Sequence, residues 1–250
     1  MHSGTSSFVT GASARMKKED VAKKAVGEAA ATLVQDGQYI GLGTGSTAAF
    51  AIAALGRRIT QDGLRIKGTP TSSSAELLAA QHGIPLCTLE HIQHLDYAFD
   101  GADEVDPGGC LIKGRGAAHT REKVVAALAK RFVVLVDESK CVPQLGARMP
   151  VPVEVLPMAA SPVKRALERL GATGQLRMGI RKDGPVVTDQ GFWVIDAHFG
   201  RINDPAAMDQ ALLEIPGVLD HGLFVGMTTD VIIGYGEGHH RHQRHKKREK

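Results

Sequence analysis

The 25 residues from Phe99 to Lys123 (FDGADEVDPGGCLIKGRGAAHTREK) combine carboxylates, a lysine and glycines in the pattern that proton chemistry needs. Asp100, Asp103, Glu104, Lys113, Arg115 and Glu122 stand among glycines and alanines. Glycine lets a backbone approach a ligand closely. Carboxylates beside a lysine take up and hand over protons and balance charge on a small polar substrate. Acids and bases that merely pair along a helix surface recur at i, i+4 without the glycines. The segment is therefore expected to be an active-site loop that feeds a helix.

Two further clusters, and the two halves of this one, follow expected strands. GLGTGST (Gly41–Thr47) reads as strand, loop and helix start. A helix N-terminus offers free N–H groups and partial positive charge, and Ser46 and Thr47 add hydroxyls. No Gly-Lys-Ser/Thr follows, and Ser46 stands where GxGxxG needs its third glycine. The motif fits a phosphate cradle, or a tight turn capped by Ser and Thr. Asp100-Gly101-Ala102-Asp103-Glu104 directly follows an expected strand at Tyr97–Phe99, and two acids three apart suit sugar hydroxyls, a divalent metal or a solvated turn. Lys113-Gly114-Arg115-Gly116 leads to Thr120–Lys123, where Glu122 is either a placed base or an acid favoured by the helix dipole. Asp137-Glu138-Ser139-Lys140 follows the apolar run FVVLV. Parallel sheets bind ligands at the carboxyl ends of their strands, so these clusters strengthen one another. His119 reads as a helix-entry residue, and His82, His91 and His94 as surface.

The elements that must position these groups alternate between strand and helix. Helices are expected at Lys18–Gln35, Ala48–Arg58, Ser72–His82 and Thr120–Lys130, with strands at Tyr39–Leu42, Leu64–Lys67, Ile84–Leu89, Tyr97–Phe99 and Phe132–Val136. Continuous apolar strands argue for a mainly parallel sheet covered on both faces. After Met149 the order becomes β-α-β-β-α-β: Val151–Leu156, a helix opened by Ser161-Pro162, Gln175–Ile180 and Phe192–Ala197 with Val186–Thr188 beside them, the helix Pro205–Leu213, and Val218–Leu219. That is a ferredoxin-like unit. Leu223–Val225 and Val231–Tyr235 look like a return to the first domain. The expected fold class is α/β, a Rossmann-like domain (16–148 plus 222–238) with an inserted α+β domain (149–221) and flexible termini (1–15 and 239–250).

Composition narrows the function. Apolar residues make up 43% and aromatic residues 4%, so the core is aliphatic, as suits α/β architecture. The net charge of +3 comes from the tail HHRHQRHKKREK, where six Lys/Arg face one Glu; the rest is mildly acidic, which speaks against a nucleic-acid partner. The tail reads as a solvated end. Three cysteines without a C-x-x-C pair point away from a disulfide framework or zinc site and towards a cytoplasmic location. No apolar run is long enough to span a membrane.

In GTGSTA (Gly43–Ala48), DGADE (Asp100–Glu104), IKGRGAAHTREK (Ile112–Lys123), DESK (Asp137–Lys140), MPVPVEVLPMA (Met149–Ala159) and IPGV followed by GLF (Ile215–Phe224), the chain resembles ribose-5-phosphate isomerase, type A. The resemblance runs from about Lys17 to Gly236. It implies a cofactor-free and metal-free isomerase of D-ribose 5-phosphate and D-ribulose 5-phosphate, forming homodimers or homotetramers. It implies that Thr44, Gly45, Ser46 and Thr47 bind the phosphate side, assisted by Lys23. Asp100, Gly101, Ala102 and Asp103, with Lys113, Gly114, Arg115 and Gly116, would line the sugar. Glu122 would accept the proton and Lys140 would touch substrate; Lys113 would balance the enediolate, and Asp100 and Asp103 would assist ring opening. Arg115 stands where the family commonly has a glycine, which suits a backbone role or adds a cation at the pocket mouth. The alternatives are a sugar-phosphate deaminase and a sugar-phosphate-sensing regulator on the same fold.

Overall fold

The computed structural model describes residues 17–246. In chain order its elements are α1 (Lys18–Thr32), β1 (Tyr39–Leu42), α2 (Ser46–Asp62), β2 (Lys67–Pro70), α3 (Ser73–Gln81), β3 (Leu95–Gly101), β4 (Glu104–Val105), β5 (Leu111–Ile112), α4 (His119–Leu128) and β6 (Ala129–Asp137). Then follow β7 (Val151–Val155), α5 (Ala160–Arg169), β8 (Thr173–Leu176), β9 (Trp193–His198), α6 (Pro205–Leu213), β10 (Val218–His221), β11 (Leu223–Phe224), β12 (Asp230–Gly234) and β13 (His240–Arg244). The main sheet has the order β13-β12-β6-β3-β1-β2. Its strands are parallel except β13, which closes one edge antiparallel.

Side-chain alternation along β6 explains the two covered faces. Val133 and Leu135 pack with Val26 and Ala30 of α1 and Ile52 and Leu55 of α2. Phe132, Val134 and Val136 point the other way, towards Val125 and Ala126 of α4. The chain leaves this sheet after β6 and returns at β12. In between, β7-α5-β8-β9-α6-β10 builds an antiparallel sheet of order β10-β7-β9-β8, the ferredoxin-like arrangement, around Val151, Val153, Val163, Leu167 and Leu212.

Several expectations shift. The second strand begins at Lys67, not Leu64; Leu64 and Ile66 are buried as a lead-in, and pairing starts where Lys67 meets Tyr39. Of Ile84–Leu89, Leu86 makes an isolated bridge to Gly68, and Val187 bridges Trp193. A 3₁₀ turn, Pro157–Ala159, runs straight into α5, so the helix starts before Ser161. Pro162 lies in its first turn, where a missing N–H is tolerated. β11 does not enter the parallel sheet; it pairs antiparallel with β5 in a small sheet with β4.

The tail is the main correction. The stretch from His239, expected to be a flexible end, supplies β13, which pairs along β12 from Asp230–Arg244 to Gly234–His240. Polar residues suffice because one edge of β12 needs backbone partners, which any residue provides. His242 Nε2 also lies 2.7 Å from Asp230 Oδ1, on the carboxylate that Arg131 grips at 2.8 and 2.9 Å. Burial opposes ionisation of Asp230, but the bonds from Arg131, Thr229 and His242 hold its pKa down to about 2. The expected flexible residues 1–15 and the last four, 247–250, lie outside the described residues. Ending the chain after Gly238 is expected to lower the melting temperature by several degrees, since about 1 kcal/mol shifts a domain of this size by roughly 2–4 °C. An unchanged melting curve would mean that β13 adds nothing to the sheet.

Candidate active site

The strand order reverses between β1 and β3: the chain moves outward from β1 to β2, then from β3 to β6 the other way. That switch point leaves a crevice at the carboxyl ends of the strands. The β1–α2 loop, the end of β3 and the end of β6 all open there. The Thr44 N–H donates to Asp100 Oδ1 across the gap at 3.0 Å. Gly43 permits this approach, because a Cβ there would lie 2.4 Å from the Phe99 carbonyl oxygen.

Under the crevice sits a buried charge cluster. Lys113 follows β5, Asp100 is the penultimate residue of β3, and Glu122 is in the first turn of α4. Their exposures are 3%, 2% and 5%. Lys113 Nζ lies 3.1 Å from Asp100 Oδ2 and 3.2 Å from Glu122 Oε2, and it donates to the Gly101 carbonyl at 2.5 Å. The two carboxylate contacts are ion pairs; neither oxygen receives a well-directed hydrogen bond. Burial opposes the charge on Lys113, yet Asp100 and Glu122 outweigh it and raise the ammonium pKa. Burial raises the pKa of Glu122, and the Asp100 carboxylate raises it further, to about 8. Burial also raises Asp100. One ammonium between two carboxylates thus leaves Glu122 a base with unusual proton affinity. Its depth sets aside the surface-acid reading.

The cleft above has a volume of about 300 Å³. It gathers Lys23, Thr44, Gly45, Ser46, Thr47, Gly101, Ala102, Asp103, Lys113, Gly114, Arg115, Gly116, Glu122 and Lys140. Asp100 alone among the expected site residues is absent from the lining; it lies beneath Lys113, in contact with its ammonium. Thr44 lines the wall, but its hydroxyl bonds to Thr71 and Ser72 at 2.8 and 2.7 Å. No side chain caps the α2 N-terminus at Gly45, Ser46 and Thr47. Asp103 Oδ2 accepts the Arg115 N–H at 3.0 Å, whereas the Arg115 side chain is 72% exposed at the mouth. Glu104 of the same motif turns away: its carboxylate accepts the N–H groups of Gly146, Arg148 and Met149.

Sequence reasoning missed several residues here. Glu19 enters the cleft one helical turn before Lys23, 3.9 Å from its ammonium. Leu135 and Val136 form part of the wall. His119 opens α4, as expected of a helix-entry residue, but it is also fully buried, with Nε2 4.0 Å from Glu154, whose carboxylate accepts from Thr120 and Thr188. Burial drives the His119 pKa down to about 3, so the ring is neutral. The signal was available: Glu154 interrupts a valine strand, and a buried acid requires partners. Among the described residues there is no group of three or more His, Cys, Asp or Glu side chains able to hold a metal ion. No helix among them is long and apolar enough to cross a membrane.

Residues 67–238 match the family of ribose 5-phosphate isomerase A (phosphoriboisomerase A). Ribose-5-phosphate isomerase A of Thermosynechococcus vestitus is 55% identical over 213 residues, covering 85% of this chain and 90% of that protein. The solved structure of ribose 5-phosphate isomerase A from Methanocaldococcus jannaschii superposes with a TM-score of 0.86 at 46% identity, over 91% of this chain and 99% of that one. A D-ribose-5-phosphate isomerase solved with phospho-erythronic acid gives 0.87 at 44% identity, over 92% and 100%.

Proposed function

The chain belongs to the ribose 5-phosphate isomerase A family, and we propose that Glu122 is the base through which it works. The reaction interconverts D-ribose 5-phosphate and D-ribulose 5-phosphate. In the open-chain aldose, Glu122 takes the proton from C2, an enediolate forms across C1 and C2, and the same carboxyl returns the proton to C1 while the O2 hydroxyl proton passes to O1, with Asp103 at the cleft wall to relay it. The negative charge that develops on oxygen falls to Lys113. The observation that carries this reading is the buried contact of Lys113 with Glu122, 3.2 Å apart at the floor of the cleft. A positioned base contributes roughly 10²–10⁴-fold.

The substrate's other groups distribute around this pair. The phosphate sits at the α2 N-terminus, on the N–H groups and hydroxyls of Ser46 and Thr47, with Lys23 and Lys140 as cations. Amides at a helix start favour an anion. Asp100 holds Lys113 charged. Asp103, Gly101, Ala102 and the Lys113–Gly116 loop flank the sugar, with Asp103 placed for hydroxyl protons during ring opening. The relative's bound phospho-erythronic acid supports this layout: it is a phosphorylated sugar acid whose planar carboxylate matches the oxygens of an enediolate. A sensing regulator has no need of a base buried against a lysine; a deaminase would use one for ring opening and ammonia release, and there the family match favours the isomerase. The proposed form is a cytoplasmic homodimer or homotetramer, in keeping with three free cysteines and the exposed apolar Met158 and Ile180.

A coupled assay of ribulose 5-phosphate formation, run against pH, tests the base. Burial raises the Glu122 pKa, so its base form is lost as pH falls, well above the ordinary glutamate range near about 4.3. The acid limb of kcat/KM is expected close to neutral pH. Glu122→Gln should lack that limb, which separates it from titration of the substrate phosphate. A profile flat down to about pH 5 would assign the proton transfer to a more ordinary carboxylate.

A further inference from the structure

We propose that Arg177 of the small domain is a positioning residue for this reaction, clamping the Lys113–Gly116 loop so that the Gly116 N–H faces the reacting carbons. The inference rests on the isomerase reading and extends it to a residue outside the cleft.

Arg177 directly follows β8. Its backbone N–H donates to the Val194 carbonyl at 2.9 Å, and its own carbonyl accepts the Val186 N–H at 2.8 Å. The side chain is held as firmly. Nε and Nη2 donate to Asp196 Oδ2 and Oδ1 at 2.9 and 2.5 Å, a bidentate fork. The pair is mostly shielded, at 17% and 20% exposure. Nη1 then reaches across the domain boundary and donates to two successive carbonyls, Gly114 at 2.9 Å and Arg115 at 3.0 Å.

Two adjacent peptide planes are fixed by this grip. All peptides of the described chain are trans, so each N–H points opposite its C=O. The first plane shows the consequence: its carbonyl goes to Arg177 and its N–H, that of Arg115, goes to Asp103 at 3.0 Å on the cleft side. The second plane has the same carbonyl anchor. Its N–H, that of Gly116, therefore turns towards the cleft that Gly116 lines. The loop cannot relax elsewhere. The Lys113 N–H is held by the Gly222 carbonyl at 2.8 Å, and Gly114, at φ +104°, backs onto the His119 ring, which a Cβ would meet at 2.7 Å. A backbone donor beside Lys113 shares the developing charge of an enediolate.

Arg177→Met, Arg177→Lys and Asp196→Asn are to be compared with the unaltered chain. The readouts are kcat, KM for ribose 5-phosphate, inhibition by inorganic phosphate, and amide hydrogen exchange of residues 114–117 without ligand. Small misplacements of catalytic groups cost up to about 10²-fold. Arg177→Met is expected to lower kcat by about 10- to 10²-fold and speed loop exchange at least ~10-fold, with phosphate inhibition within about 3-fold of the starting value. Arg177→Lys should recover only part, since an ammonium cannot span both carbonyls and Asp196. Asp196→Asn keeps one of the two acceptor oxygens and the shape; it should move both readouts the same way by less, and it carries the test if Arg177→Met does not fold. Slower turnover without a looser loop, a looser loop without slower turnover, or a loss matched by weaker phosphate inhibition would each overturn the clamp. If the unaltered chain forms no ribulose 5-phosphate, it is the isomerase reading that fails.

Discussion

Replacing Glu122 with glutamine is expected to lower turnover by at least ~10²-fold and to leave the fold intact. The magnitude is that of a lost general base. Glutamine is nearly isosteric, and its carbonyl oxygen can take the place of Oε2 beside Lys113, 3.2 Å away. It cannot accept a carbon-bound proton. The variant also replaces two carboxylates around one ammonium by a single ion pair, Asp100 with Lys113. Burial and Asp100 both disfavour the Glu122 charge, so the melting temperature should hold or rise. Substrate binding should persist, because the proposed phosphate site is at the α2 N-terminus and the lysines, away from Glu122. The decisive measurement is exchange of the C2 proton of ribose 5-phosphate with solvent deuterium. Exchange at the unaltered rate in Glu122→Gln would falsify the assignment and pass the role to Asp103, which lines the cleft, or to Asp100 beneath it.

Glu122 also shows what a sequence conveys and what it withholds. The motifs around Gly43, Asp100, Lys113 and Lys140 were legible because each puts polar groups at a strand end, all but the last among glycines, and parallel strands bring their carboxyl ends together. The helices and most strands followed from periodicity. Depth was not legible. Nothing local states that Glu122, in a first helical turn, is 5% exposed, or that Asp100 lies under the lysine and not in the cleft. Burial depends on which element packs above, a long-range fact. The same reason hid Glu104, whose partners Gly146, Arg148 and Met149 stand more than forty residues away. The tail misled for the opposite reason. Its polar composition gave no core signal, yet an edge strand needs only backbone partners and a few side-chain anchors, here His242 on Asp230. Arg177 carried no signal either, because its role exists only once two domains meet.

Lys113→Met should be the other severe loss, and by a route that the pH profile exposes. Methionine matches the length and apolar stem of lysine but removes the ammonium. Asp100 and Glu122 would then be two buried carboxylates with no cation between them. Breaking a buried ion pair by removing one partner costs about 3–5 kcal/mol unless a proton relieves it. A proton can do so here, because burial already raises both acids and Lys113 is what holds them down. The variant is therefore expected to fold with at least one acid neutral, and its stability should fall as pH rises through the raised pKa values. Glu122 then remains protonated to higher pH, so the acid limb of kcat/KM should move upward from its position in the unaltered chain. Turnover on the plateau should still be low, since a lost donor to a developing oxyanion is worth about 2.7–4 kcal/mol. The double variant with Glu122→Gln should fall well short of the product of the single losses, as expected when two groups serve one intermediate. If Lys113 only tied the loop to the Gly101 carbonyl, turnover would drop while the acid limb stayed in place. An unshifted limb would therefore remove Lys113 from the charge cluster's chemistry.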